Sequence, residues 1–126
     1  NDGAEAGLPD KLTRPEHHKD KLFIRGRDQA CLLNTNEIIF VERLDGYTNI
    51  VTAGEQFKTS ISLGEIEEKL GNEDFMRCHK SYIVNISHIT KIEPYGRWTY
   101  VVKFKDTDAT ALMTAQNYEE IKKMFM

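Results

Sequence analysis

The sequence predicts a mainly β fold, an elongated arrangement of antiparallel β-sheets or a sandwich with one or two short helices. Three observations support this prediction. Short runs rich in β-branched and aromatic residues recur between turn signals, one central segment switches to helical spacing, and a second helical pattern closes the chain. A length of 126 residues suits one domain of ordinary size.

The first 19 residues differ from the rest of the chain. They contain glycines and prolines such as Gly7 and Pro15, carry mixed charges and show no apolar periodicity. We therefore predict a linker or tail over residues 1–19 and a folded domain over residues 20–126.

Strand-like segments begin at Lys21. Five of them follow one another: KLFIRG, ACLLN, EIIFVER, YTNIVTA and QFKTSI. Turn residues separate the segments, among them the pair Asp45 and Gly46. This spacing predicts antiparallel strands joined by tight turns.

A short helix is predicted next. Ser62 and Glu65 form an S-x-x-E capping box, and Gly71 stands where the helix should end. The apolar residues between them have helical spacing: Leu63, Ile66 and Leu70.

The second half of the chain predicts strands again. The segment RCHKS, residues 77–81, lies where a strand should run into a turn, and a compact turn or short helix should then lead into another strand. WTYVVKFK and ATALMTA predict a hairpin. Asn117 is predicted to cap a final helix. Its apolar face would contain Tyr118, Ile121, Met124 and Phe125.

Charge is unevenly distributed along the chain. The net charge is −3, yet residues 75–105 carry one carboxylate, Glu93, against six basic residues: Arg77, Lys80, Lys91, Arg97, Lys103 and Lys105. A basic face of this kind would attract phosphates, although a chance cluster spread around a sheet has the same composition. No apolar run approaches the roughly 18 residues that span a bilayer, and no signal peptide is recognisable, so we expect a cytoplasmic protein.

Catalytic and metal-binding patterns are absent from the sequence. Cys78 and His79 are adjacent, and neighbouring residues on a strand point to opposite faces, so they would not form a nucleophile–base pair. We expect Cys31 and Cys78 to be small buried hydrophobic residues. The histidines and cysteines do not follow metal-ligand spacing. We therefore expect no enzyme activity, no cofactor and no metal site.

The RCHKS segment is the strongest functional candidate. Arg77, His79, Lys80 and Ser81 are side chains that bind phosphates or read base edges. A solvated turn beside a buried strand would fit the same residues equally well. Asn85 is expected to be structural, with its amide closing a turn through backbone hydrogen bonds.

The chain resembles the LytTR family of DNA-binding domains. The resemblance is carried by IIFVERLDGYTNIVTA, SLGEIEEKLG, FMRCHKSYIVNISHITKIEP and AQNYEEIKKMF, and it covers residues 21–126. It implies an elongated antiparallel β fold with short helices that inserts loops into successive major grooves of double-stranded DNA. The implied function is sequence-specific DNA binding for transcription regulation.

The resemblance also implies roles for individual residues. A first reading loop would contain Tyr47, Thr48 and Asn49, a second His79, Lys80 and Ser81, and a third Gln116 and Asn117. Phosphate contacts would come from Arg77, Ser81 and Ser62. Family members often carry other residues at the positions of Thr48, Asn49, Ala115 and Gln116, so a base preference of its own is expected for this chain.

The resemblance further implies partners beyond DNA. Family members are commonly fused to a phosphorylatable receiver domain and bind promoter direct repeats as dimers, as output domains of two-component response regulators. A receiver in a longer parent chain and a homodimer on DNA are therefore expected. The alternative hypothesis is a β-rich domain for protein interaction or ligand sensing that does not bind DNA.

Overall fold

The structure is a computed structural model that describes residues 20–26, 28–71 and 73–126. The linker predicted for residues 1–19 lies outside the described residues. Of the described residues, most belong to β-strands, and two stretches form α-helices. The predicted mainly β class is confirmed.

The first half of the chain contains five strands and one helix, close to the predicted segments. Their bounds are β1 Lys21–Arg25, β2 Ala30–Asn34, β3 Ile38–Leu44, β4 Tyr47–Thr52, β5 Gln56–Thr59 and α1 Leu63–Leu70. A single turn of 3-10 helix, Thr35–Glu37, joins β2 to β3. The second half contains five further strands and one helix. Their bounds are β6 Phe75–His79, β7 Tyr82–Asn85, β8 Ile89–Pro94, β9 Thr99–Phe104, β10 Thr110–Thr114 and α2 Ala115–Phe125.

The described strands form three antiparallel sheets. The central sheet has five strands in the order β5-β4-β3-β7-β6, and it is flanked by the two-stranded sheet β1-β2 and the three-stranded sheet β10-β9-β8. Each pairing is antiparallel. The predicted hairpin of WTYVVKFK with ATALMTA is therefore confirmed as β9 and β10.

The central sheet separates two hydrophobic cores. On one face, Leu22 and Ile24 of β1 pack with Ile66 of α1 against the sheet. On the other face, Phe40 of β3 stacks on Phe104 of β9, with ring centroids 5.1 Å apart. Because both faces of the central strands are covered, these strands are apolar without strict alternation.

The helix boundaries agree with the sequence at α1 and differ at α2. Ser62 caps α1 by accepting a hydrogen bond from the Glu65 N–H at 3.2 Å, and Gly71 ends it with φ +76°. The predicted cap at Asn117 is wrong, because Thr114 caps α2 and accepts from the Asn117 N–H at 3.2 Å. The helix begins where β10 ends, one turn earlier than expected.

The segment after α1 contains more strand than the sequence indicated. Residues 82–85, expected in a compact turn or short helix, pair as β7 with both β3 and β6. The short helix follows as one 3-10 turn, Ile86–His88. Asn85 has the predicted structural role: its amide donates to the Ile38 carbonyl at 2.9 Å, and its side-chain oxygen accepts from the Ser87 N–H.

Candidate nucleic-acid interface

One end of the molecule gathers four segments, which we call the loop end: residues 45–46, 80–81, 95–98 and 115–117. The first two are neighbours because the Arg43 N–H donates to the Ser81 carbonyl at 2.8 Å. The start of α2 joins them because the Asn117 amide donates to the Cys78 carbonyl at 3.1 Å. Residues 95–98 are tied to α2 because the Ala115 N–H donates to the Trp98 carbonyl at 3.0 Å.

The turn between β6 and β7 is held from within. His79 Nδ1 accepts a hydrogen bond from the Ser81 N–H at 3.1 Å, and its ring packs edge-on to Tyr82 at a centroid distance of 5.5 Å. The side chain of Lys80 is exposed at the tip. Within the described part of the chain, no hydrogen bond or ion pair of the Lys80 ammonium is found. Its charge is therefore presented to solvent on an ordered turn.

Arg77 holds this turn rather than reaching out from it. Its guanidinium donates to the carbonyls of His79 at 3.1 Å and Lys80 at 2.7 Å, and to the Glu67 carboxylate at 2.8 Å. Three nitrogen atoms are thus occupied inside the protein. These three bonds give Arg77 a positioning role, and its charge is balanced by Glu67. The phosphate contact implied for Arg77 stays a prediction that its remaining N–H groups would have to fulfil.

His79 is held in its neutral form near neutral pH. Partial burial, then the positive charges of Lys80 and Arg77, lower the pKa of His79 below its usual 6.5. Because Nδ1 accepts from the Ser81 N–H, the neutral ring carries its proton on Nε2. An N–H at that position is a donor suited to a phosphate oxygen or to the O6 and N7 acceptors of guanine.

The predicted first reading loop lies in strand β4. The loop itself is residues 45–46, and Tyr47 is half-buried at the start of the strand. Thr48 is 0% and Asn49 2% exposed, so both are part of the packed sheet. Their placement in an exposed loop is therefore wrong. Asn49 donates through its amide to Glu42 at 2.9 Å and to Gln56 at 3.0 Å.

Two exposed cations beside this strand were missed by the sequence reasoning. Arg43 donates to the Thr48 hydroxyl at 2.9 Å, and Lys58 lies over the Tyr47 ring with its ammonium 5.0 Å from the centroid. Arg43 was predictable from the hairpin register, since a two-residue Asp-Gly turn places Arg43 opposite Thr48. Thr48 and Tyr47 thus orient positive charges beside the loop end.

The third predicted loop divides into an exposed and a structural residue. Gln116 is exposed in the first turn of α2. The Asn117 amide is occupied by the Cys78 carbonyl and by the Thr114 hydroxyl, the latter at 2.8 Å. Ser62 is exposed, and its hydroxyl oxygen is used as the α1 cap. Asn117 therefore positions the loop end, whereas Gln116 faces solvent.

Neither cysteine offers reactive chemistry at the loop end. Cys78 is 0% exposed, its Sγ donates to the Leu112 carbonyl at 3.2 Å, and burial raises its pKa to about 12. The adjacent His79 side chain bonds to the Ser81 N–H, so no Cys–His pair is formed. Cys78 is a buried hydrophobic residue, as predicted. Cys31 is half-buried, which is more exposed than expected.

The described part of the chain is a β-rich domain that presents an exposed cation on a turn between two strands. The LytTr DNA-binding domain family matches residues 28–126. The chain therefore belongs to this family, and the predicted class of protein is confirmed.

Curated relatives support the same assignment. The chain is 32% identical over 99 residues to the transcriptional regulatory protein NatR of Bacillus subtilis, covering 79% of this chain and 42% of NatR. It is 33% identical over 105 residues to the sensory transduction protein LytT of Bacillus anthracis, covering 82% of this chain and 42% of LytT. The chain thus spans less than half the length of these relatives.

A solved structure has the same fold. It is the LytTr DNA-binding domain of a putative methyl-accepting/DNA response regulator from Bacillus cereus, with a TM-score of 0.70 and 22% identity. The match covers 83% of this chain and 95% of that one. No helix within residues 20–26, 28–71 and 73–126 is long and apolar enough to cross a membrane.

Proposed function

We propose that the chain binds double-stranded DNA sequence-specifically and regulates transcription, with the loop end placed against the major groove. The single observation that carries this proposal is the ordered turn of residues 79–81, where Lys80 is exposed while Arg77 and His79 fix the backbone beneath it. A turn fixed before binding loses little conformational entropy on the DNA, so its contacts contribute more to affinity.

Several side chains at or beside the loop end have a chemically suitable partner on DNA. Lys80 can donate to guanine O6 and N7 or to a phosphate, and His79 Nε2–H can donate to the same acceptors. Arg43 and Lys58 add positive charge for the phosphate backbone. Gln116 can bond bidentately to adenine. The predicted contacts of Ser81, Tyr47 and Ser62 belong to the same proposal, whereas those of Thr48, Asn49 and Asn117 would require their present hydrogen bonds to open.

The wider role follows from the relatives. NatR is named a transcriptional regulatory protein and LytT a sensory transduction protein, and each is more than twice as long as the matched region. We propose that this chain is the output domain of a response regulator whose receiver lies elsewhere in a longer parent. Binding as a homodimer to promoter direct repeats, in the cytoplasm and without a catalytic step, is part of the same proposal.

Fluorescence anisotropy of a labelled direct-repeat duplex, titrated with protein at several salt concentrations, tests the proposal. The duplex would be taken from DNA selected out of a random pool. Affinity should fall steeply with salt, because neutralising phosphates releases counterions. A flat salt response, or no binding to any selected duplex, would overturn the proposal in favour of a domain that does not bind DNA.

Lys80→Ala tests the turn itself. If Lys80 reads a base, the variant should lose about 1–3 kcal/mol of discrimination between the selected duplex and random DNA. Lys105→Ala is the matched control, because Lys105 is also an exposed lysine. It follows the C-terminal end of β9, whereas residues 95–98 of the loop end precede the N-terminal end of the same strand. If Lys80→Ala and Lys105→Ala show the same discrimination between the selected duplex and random DNA, Lys80 does not read a base.

A further inference from the structure

The turn between β8 and β9 exposes two aromatic side chains and one cation. Trp98 is 74% exposed and Tyr95 60%, and Arg97 between them is exposed as well. Large aromatic side chains bury much apolar area when they pack, so their exposure on one short turn contributes little to folding. Of the residues of this turn, Arg97 belongs to the basic residues of 75–105.

The backbone of Trp98 is in an unfavourable conformation. Its φ is +65°, in the left-handed region that glycine and asparagine occupy readily and a bulky residue rarely does. Two hydrogen bonds hold the turn: the Tyr95 N–H donates to the Thr99 carbonyl at 2.9 Å, and the Trp98 carbonyl accepts from Ala115 at 3.0 Å. Strain that the surrounding structure maintains is a recurrent feature of binding sites.

The second hydrogen bond places the Trp98 backbone beside the start of α2. Ala115 is the first residue of α2 and precedes Gln116, so the turn adjoins the third predicted reading position. Pro94, Gly96, Trp98 and Gln116 line one cleft. Glu119 also lines it, and its carboxylate is paired with the Lys122 ammonium at 3.6 Å. The turn is therefore continuous with the loop end.

We propose that the turn of residues 95–98 is a further DNA-contacting segment, with Arg97 on a backbone phosphate and the Trp98 indole packed against the adjacent deoxyribose. This proposal rests on the DNA-binding function proposed above. An indole offers an apolar face for the sugar, and the guanidinium supplies the charge that the phosphate requires. Contacts to the backbone strengthen binding without reading bases, so this segment anchors the reading turn of residues 79–81 on the duplex.

Trp98 is the single tryptophan of the chain, which makes the proposal directly measurable. When the protein is titrated with the selected duplex, the emission of Trp98 should shift and its quenching by acrylamide should decrease. Anisotropy of the labelled duplex, measured in parallel, reports whether the duplex has bound. Binding seen by anisotropy with unchanged Trp98 emission and quenching would overturn this inference and leave the proposed function standing. Absence of binding by anisotropy would overturn both.

Two variants separate a DNA contact from a structural role. Trp98→Gly removes the indole and suits the positive φ, so thermal stability should be kept or raised while affinity falls roughly tenfold, equally for selected and random DNA. Arg97→Ala should reduce the slope of log affinity against log salt by about 1. Phe125→Ala is the control, because Phe125 is 69% exposed at the far end of α2. Unchanged affinity in Trp98→Gly and an unchanged slope in Arg97→Ala would contradict the proposal.

Discussion

At the scale of single residues, the loop end separates side chains that face solvent from side chains that hold them in place. Lys80, Arg43 and Gln116 are exposed, whereas the polar atoms of Arg77 and Asn117 are bonded to backbone carbonyls around the same turn. A positively charged residue close to the interface is thus not automatically a phosphate contact. The number of its donors that already have partners matters as well, which is one for Arg43 and three for Arg77.

Arg77→Lys tests this distinction. Lysine keeps the positive charge but cannot bond at once to His79, Lys80 and Glu67 with the planar geometry of a guanidinium. We expect affinity for the selected duplex to fall several-fold with little change in the salt slope, because the turn loses order while no phosphate contact is lost. Anisotropy titrations across a salt series measure both quantities. The companion variant Arg77→Gln removes the charge, and a slope reduced by about 1 in this variant with an intact preference between duplexes would instead identify a phosphate contact.

At the scale of elements, the start of α2 links stability to the loop end. The Thr114 hydroxyl accepts from both the N–H and the amide of Asn117, and the same amide donates to Cys78 beneath the reading turn. One cap therefore orients the end of β10, the first turn of α2 and the backbone of β6.

Thr114→Ala should lower the free energy of unfolding by about 1 kcal/mol, the usual cost of losing a helix cap. The measurement is denaturant unfolding followed by circular dichroism. Gln116→Ala is the control, because Gln116 is exposed two residues further on and alanine is a good helix former. Equal stability of Thr114→Ala and the unmodified protein would mean that the cap does not support the helix.

The elements themselves were largely predictable from the sequence. The Asp45 and Gly46 pair predicted the β3–β4 turn, and the capping box at Ser62 predicted the first residue of α1. The α2 cap was misplaced because Thr114 and Asn117 are both capping residues three positions apart. The sequence alone does not show where β10 stops pairing with β9.

The candidate site was less predictable than the elements. Which of its polar side chains are exposed depends on strand pairing and packing that form only in the folded protein. Thr48 and Asn49 are polar, yet β3 and β5 pair with their strand on both sides and leave them buried. Arg77 meets Glu67 across ten positions of sequence, a contact that no local pattern encodes. Burial and long-range bonding, rather than residue type, therefore distinguish the exposed side chains from those that support the fold.

At the scale of the whole molecule, the central sheet is shared by both cores. Ile50 of β4 packs into the first core and its neighbour Val51 into the second, so the same strand stabilises both. The three-stranded sheet that carries Trp98 joins the second core through Phe104. If one core unfolds, the other should lose packing contacts that the shared strands provide. The described domain should therefore unfold in one cooperative step.

Ile66→Ala tests this coupling from the side remote from Trp98. Ile66 is 0% exposed in the first core, and its truncation should cost about 2–5 kcal/mol of unfolding free energy. Unfolding is followed by Trp98 fluorescence and by far-ultraviolet circular dichroism. If the cores unfold together, Ile66→Ala should shift the unfolding midpoint by the same amount in both measurements. Leu32→Ala is the control, because Leu32 is 64% exposed on β2. A fluorescence midpoint that stays in place while the circular dichroism midpoint moves would mean that the sheet bearing Trp98 is stable independently of the first core.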